Sequence, residues 1–135
     1  MPSRGRMPRL GRLTTHCMKH GLLISALLLP SIAKADVIQC AFTEPFMRTS
    51  YDTSLKRMTV TYDVEKRRQV LNEVSLREIT PGVFEFRNAN GQALLRMQRT
   101  CRGSDGMSDR VYPYDAQWML QNLSGGCTST RLKSC

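Results

Sequence analysis

The sequence predicts a small, mainly β domain, either an antiparallel β-barrel or a sandwich, stabilised by two disulfides. Short segments of alternating polar and apolar residues, separated by Gly, Asn and Pro, are typical of antiparallel strands. Four cysteines follow the first 35 residues, namely Cys40, Cys101, Cys127 and Cys135. An even set of this kind indicates two disulfides in a small exported domain, whose thin core needs covalent support.

The clearest strand covers residues 58–63. Met58, Val60 and Tyr62 alternate there with polar residues, and the segment is rich in β-branched side chains. Residues 88–91 read Asn-Ala-Asn-Gly, a composition that tolerates the positive φ of a tight turn. Further strands are predicted on both sides of that turn, over residues 74–80, 83–86 and 92–98.

A last strand is predicted within residues 111–120, after an irregular segment rich in Gly, Ser and Asp. Its alternation places five residues on one side, which are Tyr112, Tyr114, Ala116, Trp118 and Leu120. Residues 65–74 have a helix as an alternative, since Val70, Leu71 and Val74 would share a helical face. The polar tail over 124–135 is expected to fray unless its cysteines fasten it.

The first 35 residues predict a secretory signal peptide. A basic segment over 4–19 precedes an apolar run over 21–32, and Ala33 and Ala35 are small enough for signal peptidase. Cleavage after Ala35 leaves residues 36–135 as one disulfide-stabilised domain, located in the periplasm or secreted. The apolar run is shorter than the about 20 residues that span a bilayer, so we expect no stable membrane span. Translation from Met1 and translation from Met18 both remain open.

The charge of the chain belongs largely to this leader. Six of the 20 Lys and Arg, and none of the 11 acidic residues, lie in residues 1–35, so the formal net charge falls from +9 to +3 over residues 36–135. The remaining basic cluster, at 66–68, lacks the aromatic platforms of a nucleic-acid site. Both histidines, His16 and His20, lie in the leader as well. We therefore expect no nucleic-acid partner, no metal site and no cofactor.

Four cysteines allow three disulfide pairings, and their spacing does not decide among them. Cys101 precedes a turn-rich segment and Cys127 ends the strand pattern after it, so a bridge between them would hold a long hairpin. Cys40 and Cys135 would then join the two ends of the domain. Cys101 with Cys127 and Cys40 with Cys135 is therefore the expected pairing.

Two stretches resemble a known family. Residues 40–46 read Cys-Ala-Phe-Thr-Glu-Pro-Phe, and residues 104–113 read Ser-Asp-Gly-Met-Ser-Asp-Arg-Val-Tyr-Pro. From Cys40 to Cys127 the chain resembles small exported proteins of Gram-negative bacteria, mostly uncharacterised or described as lipoproteins. These pair a Cys-x-x-x-Glu-Pro-Phe opening with a Cys-Ser-Asp-Gly-Met-Ser-Asp-x-x-Tyr-Pro loop and a later Gly-Cys. The resemblance implies export and a compact β-rich fold, and it implies no particular activity.

The chain departs from that family pattern in two places. Arg102 and Gly103 stand between Cys101 and Ser104, where relatives run directly from Cys into Ser-Asp-Gly, and this change bears on the cysteine pairing. Met47 occupies a position where many relatives have an aromatic residue, which weakens a ligand platform carried over from the family.

The loop motif holds the candidate binding residues, which are Asp105, Met107, Asp109, Arg110, Tyr112 and Tyr114. Adaptable Met, charged Arg and aromatic side chains are the contacts that interfaces favour. The same residues also fit a structural role. Asp accepts N–H bonds in turns, Gly106 tolerates an unusual φ, Arg110 can pair with Asp109 or Glu44, and alternating tyrosines form a buried sheet face.

These observations predict a non-catalytic, monomeric envelope protein that binds a protein or an envelope partner. Small exported inhibitors of host lysozyme share this general build, so an inhibitor-like module is one concrete version. A structural envelope component without a soluble ligand is an alternative. A glycan hydrolase that pairs Glu44 with Asp105 or Asp109 is a further one. His-dependent nucleophilic catalysis is excluded for residues 36–135, because that segment contains no histidine.

Overall fold

The structure, a computed structural model, describes Gly11 and residues 34–135. Apart from Gly11, Lys34 and Ala35, the predicted signal segment lies outside the described residues, and so do Met1 and Met18. Within the described part of the chain, no helix has the length and apolar character needed to cross a membrane.

The described residues contain nine β-strands in a single sheet, and all hydrogen-bonded neighbours run antiparallel. The predicted mainly β class is confirmed, and the sheet curls into a half-barrel. Its strand order is β4-β3-β2-β1-β9-β8-β7-β6-β5, so β4 and β5 are the edges. In chain order the strands are β1 (Val37–Phe42), β2 (Met47–Asp52), β3 (Arg57–Tyr62), β4 (Arg67–Leu71), β5 (Ser75–Thr80), β6 (Val83–Arg87), β7 (Ala93–Gly103), β8 (Tyr112–Trp118) and β9 (Leu123–Ser129).

Four-residue turns link the first four strands. The last residue of each turn has a positive φ, at Phe46 (53°), Lys56 (49°) and Lys66 (49°). A left-handed residue at the end of the loop is common in β-hairpins. Each strand therefore reverses onto the one before it, and β1 to β4 form a meander. Residues 67–71 belong to this meander as strand β4, so the helix alternative for residues 65–74 is wrong.

Alternation sorts the side chains of the sheet onto two faces. One face, which we call the core face, carries fully buried apolar residues such as Ile38, Met47 and Val60. The opposite outer face carries polar neighbours such as Gln39 and Arg48. Burial of one face and hydration of the other is the usual arrangement of antiparallel sheets.

The curl of the sheet brings distant strands together around one core. The rings of Tyr51 in β2 and Phe86 in β6 meet edge to face, with centroids 5.0 Å apart. Phe42 and Trp118 make a second edge contact at 6.4 Å. Such pairs add about 0.5–1.5 kcal/mol beyond the area that they bury. The core is therefore a single cluster enclosed by the two halves of the sheet.

Val74 lies where the chain passes from β4 to β5, and it is fully buried. Its N–H donates to the Lys56 carbonyl at 2.9 Å, and its carbonyl accepts from the Tyr51 hydroxyl at 2.7 Å. The connection between the two edge strands thus contributes a buried residue whose backbone polar groups are both satisfied.

The disulfides join Cys40 to Cys127 and Cys101 to Cys135. The expected pairing of Cys101 with Cys127 and Cys40 with Cys135 is therefore wrong. Cys40 and Cys127 are direct partners in the β1–β9 ladder, with Cα atoms 4.0 Å apart, because β9 returns to pair with β1. Cys101 is left to hold the C-terminal residue to the end of β7.

Polar contacts secure both ends of the described domain. The buried carboxylate of Asp36 accepts hydrogen bonds from the Ser129 hydroxyl, from the N–H and hydroxyl of Thr130, and from the Arg131 N–H. The Tyr114 hydroxyl donates to the Lys133 carbonyl at 2.8 Å. The polar tail is therefore anchored by the disulfides of Cys127 and Cys135, as the sequence requires, and also by the β9 ladder and these bonds.

Candidate functional site

The irregular segment over residues 104–111, which we call the binding loop because it holds four of the six candidate binding residues, connects β7 to β8. The structure divides the predicted site residues into two groups. Asp105, Tyr112 and Tyr114 are buried, whereas Met107, Asp109 and Arg110 are exposed. Three of the six predicted residues are therefore placed to stabilise the loop or the sheet, and the other three are accessible to a ligand.

Asp105 is the hydrogen-bonding centre of the binding loop. Its Oδ1 accepts the N–H groups of Met107 at 2.9 Å and Ser108 at 2.8 Å. Its Oδ2 accepts the hydroxyls of Ser108 at 2.7 Å and Tyr112 at 3.0 Å. Four donors thus surround a side chain that is 5% exposed. This is the Asx-type turn that the sequence predicts, with an additional hydrogen bond from the Tyr112 hydroxyl.

These donors stabilise the ionised carboxylate. Hydrogen bonds from the Ser108 N–H, and next from the Met107 N–H, hold the pKa of Asp105 well below its ordinary value. The carboxylate is therefore charged at physiological pH, and its lone pairs point into its own loop. In this position the carboxylate stabilises the conformation of the loop and is not accessible to an incoming substrate.

The binding loop also rests on the β1–β2 turn. The Thr43 hydroxyl donates to the Asp105 carbonyl. Gly106 has a φ of +76°, and a Cβ at this residue would lie 2.5 Å from the Thr43 Oγ1. Only glycine fits both the backbone conformation and this close approach. The two sequence motifs, the opening at 40–46 and the loop, are therefore in contact.

Tyr112 lies on the outer face of the sheet, although the strand pattern places it with Tyr114 and Trp118. Its ring packs against Gly126, where a Cβ would come within 2.6 Å of the ring. The register of β7 against β8 shifts between Arg99 and Gly103, and this irregularity accompanies the change of face at the start of β8. The expectation that residues 112–120 share one side is therefore wrong at Tyr112. It is also wrong at Leu120, which lies exposed beyond the end of β8.

The environment of Tyr112 is closed on several sides. Its side chain is 7% exposed, and the Arg110 guanidinium lies over the ring, 4.8 Å from the centroid. Burial, and then the hydrogen bond to Asp105, raises the pKa of the Tyr112 hydroxyl. The expected ion pair of Arg110 with Asp109 or Glu44 is not found among the described residues, and Arg110 makes a cation–π contact instead.

Tyr114 is a core residue. Its ring meets that of Phe84 at a centroid distance of 6.1 Å, and burial raises the pKa of its hydroxyl. Tyr114 therefore belongs to a buried sheet face, which is the structural role that the sequence offers as an alternative to binding. Val111, which is two-thirds exposed beside Arg110, was not among the predicted site residues. An apolar residue within a polar loop is the feature of the sequence that indicates an exposed contact at Val111.

The carboxylates are arranged differently from the pair that the sequence suggests. Glu44 lines a cleft of about 580 Å³ together with Asp115, Ser104 and Gly106. The Asp105 carboxylate is occupied by its own loop, so Asp115 is the acidic residue that shares a cleft with Glu44. Within residues 34–135 no three His, Cys, Asp or Glu side chains are grouped so that they could hold a metal ion.

In comparisons with protein-family models, curated proteins and solved structures, the chain finds no match. The resemblance to the exported Gram-negative family therefore stays a prediction. The functional argument rests on the geometry of the binding loop and of the surfaces beside it.

Proposed function

We propose that this chain is a non-catalytic exported protein of the cell envelope that uses the binding loop to contact a protein partner, in the manner of an inhibitor. The observation that carries the proposal is the Asp105 hydrogen-bond centre. Because the loop is already ordered, a partner would not have to pay the conformational entropy of fixing it, about 0.5–1.5 kcal/mol for each flexible side chain.

The exposed side chains of the binding loop are of the kind that proteins recognise. Met107 and Val111 are 52% and 67% exposed, and both are apolar. Met adapts its shape to a partner surface, while Asp109 and Arg110 add charges at the rim. An ordered loop that carries apolar residues at its surface supports a role in binding more than a role as a passive structural component.

Export is the second part of the proposal. Two disulfides are consistent with an oxidising compartment. The basic and apolar leader over residues 1–35 adds the expectation of cleavage near Ala35 and release into the periplasm or the medium. A monomer with one exposed recognition loop is the simplest form of such a module.

Inhibition of lysozyme tests the most concrete version. The oxidised protein is added to a c-type lysozyme acting on a cell-wall suspension, together with the variant Met107→Ala/Val111→Ala. The matched control is Leu55→Ala/Val64→Ala, since Leu55 and Val64 are 58% and 69% exposed in other turns. We expect inhibition by the wild type and the control, with at least about tenfold weaker inhibition by the loop variant, a difference of about 1.4 kcal/mol.

A second experiment searches for partners other than lysozyme. The same three proteins are immobilised and exposed to envelope extract, and retained proteins are identified and then measured individually for affinity. A partner bound by the wild type and the control but not by the loop variant supports the proposal. If neither experiment yields a loop-dependent partner, the proposal fails and the structural-component alternative takes its place.

A further inference from the structure

A cleft of about 340 Å³ lies on the outer face of the sheet, away from the apolar core. We call it the outer-face cleft. Strands β1, β2, β3 and β9 supply its floor, and the end of the binding loop supplies one wall. The floor is rich in hydroxyl and amide groups, which come from Gln39, Ser50, Thr59, Thr61 and Thr128. Such a surface offers both hydrogen-bond donors and acceptors to a ligand.

The charge of the outer-face cleft is positive. Arg48 and Arg110 both line it, and no Asp or Glu is among its lining residues. Asp63 neutralises Arg48 from outside the cleft, through three hydrogen bonds of 2.6, 2.9 and 3.2 Å. Arg110 makes no ion pair with a carboxylate in the described part of the chain. Arg110 is thus the cationic group that a bound anion would meet.

The wall that carries Arg110 is fixed in place. The guanidinium lies over the Tyr112 ring, and that ring is held by the Asp105 carboxylate at one end and by Gly126 beneath it. A guanidinium that lies over an aromatic ring can still donate its N–H groups to an acceptor in the plane of the guanidinium. The cleft therefore offers a positioned cation, Arg110, to an anionic group, and hydroxyl groups on its floor to the rest of the ligand.

We propose that the outer-face cleft binds a carboxylated sugar, with the carboxylate on Arg110 and the ring hydroxyls on the floor. Its volume is at the lower end of the about 300–1,000 Å³ typical of small-molecule sites, which suits one or two sugar rings. Met107 and Val111, the apolar contacts proposed for the protein partner of the binding loop, do not line this cleft, whereas Arg110 lies at both sites.

The test is a titration of the oxidised protein, expressed from its full-length sequence, with D-glucuronate followed by NMR amide shifts. D-glucose lacks the carboxylate and acetate lacks the hydroxyls. These two probes therefore separate the contribution of the carboxylate to binding from that of the hydroxyl groups. We expect saturable shifts at Gln39, Thr61 and Thr128 with D-glucuronate. Glucose and acetate should bind at least about tenfold more weakly.

Two variants and two controls connect the binding to the cleft. Arg110→Gln removes the charge and should weaken glucuronate binding about tenfold, and Thr61→Val should weaken it about threefold through one lost hydrogen bond. Arg102→Gln removes an exposed charge outside the cleft and should bind as the wild type does. Met107→Ala/Val111→Ala should also keep glucuronate binding, which separates this result from that of the loop partner.

Three results would overturn the proposal. They are an absence of saturable shifts up to about 20 mM glucuronate, equal binding of glucose, and unchanged binding by Arg110→Gln. Arg110 is exposed, so its variant is expected to fold, and amide shift dispersion verifies this before the titration.

Discussion

The Tyr112 hydroxyl donates a 3.0 Å hydrogen bond to Asp105 Oδ2, and both residues are buried on the outer side of the sheet. This bond links the first turn of the binding loop to the first residue of β8. The same carboxylate holds the Met107 and Ser108 N–H groups. The conformation of the loop therefore depends on one ionised side chain.

Asp105→Asn should release the binding loop while the core stays intact. The amide keeps one acceptor oxygen, but its NH₂ group cannot accept the hydroxyls that Oδ2 accepts. We expect the Met107 and Ser108 amides to exchange hydrogen at least about tenfold faster, with unchanged exchange in β1 and β9. Asp109→Asn, an exposed change in the same loop, is the control. Equal protection in wild type and Asp105→Asn would show that the carboxylate does not hold the loop.

Acid should weaken the domain through Asp105. Because its folded-state pKa is lowered, the unfolded chain takes up the proton first as pH falls. The stabilisation is therefore complete above the ordinary carboxyl value of about 4 and is lost as pH falls below it.

Urea midpoints between pH 5 and pH 2 measure this effect. Glu85 has a lowered pKa as well, chiefly from its hydrogen bond with Arg96, and contributes with the same sign. The comparison with Asp105→Asn separates the two, since that variant should lose less stability on acidification. Parallel curves for wild type and variant would contradict the role of Asp105.

Gly126→Ala and Gly125→Ala should disturb opposite faces of β9. A Cβ at Gly126 would come within 2.6 Å of the Tyr112 ring, whereas a Cβ at Gly125 would clash with the Ala41 carbonyl oxygen and come within 2.6 Å of the Phe42 ring in the core. Each change should cost about 1–3 kcal/mol. Trp118, the single tryptophan, packs against Phe42 and reports on the core. Its fluorescence should shift in Gly125→Ala and stay unchanged in Gly126→Ala, and the reverse pattern would contradict the assignment of faces.

The disulfide map is a further prediction. Peptide mass spectrometry without reduction should recover Cys40 linked to Cys127 and Cys101 linked to Cys135. Replacing Cys101 and Cys135 by Ser should cost about 4 kcal/mol, because the bridge closes a loop with a sequence separation of 34. Recovery of a Cys101–Cys127 peptide would refute this disulfide map.

The sequence predicts strands well where polar and apolar residues alternate regularly, and poorly where glycines interrupt that alternation. The strand predicted at 58–63 corresponds to β3, and the strand predicted at 83–86 corresponds to β6. Strand β9 was missed because Gly125 and Gly126 carry no side chain whose polarity would alternate, although Phe42 and Tyr112 require that space. Since β9 was missed, the pairing of Cys40 with Cys127 was missed too.

The candidate site was predicted in part. The loop, the turn made by Asp105 and the special φ of Gly106 follow from local sequence, because they depend on neighbouring residues. The face occupied by Tyr112 does not, because it depends on the register of β7 against β8. The outer-face cleft combines the consecutive strands β1, β2 and β3 with β9, which is distant in sequence, so alternation within one strand cannot indicate it.

Photo-crosslinking from position 107 tests the central claim most directly. A photoreactive amino acid replaces Met107 in one strain and Val64, which is similarly exposed in another turn, in a second strain. After irradiation of intact cells exposed to the candidate partner, we predict a defined adduct at position 107 that disappears when Asp105→Asn is added, and none at position 64. The absence of an adduct at 107, or the same adduct at both positions, would contradict recognition through the binding loop.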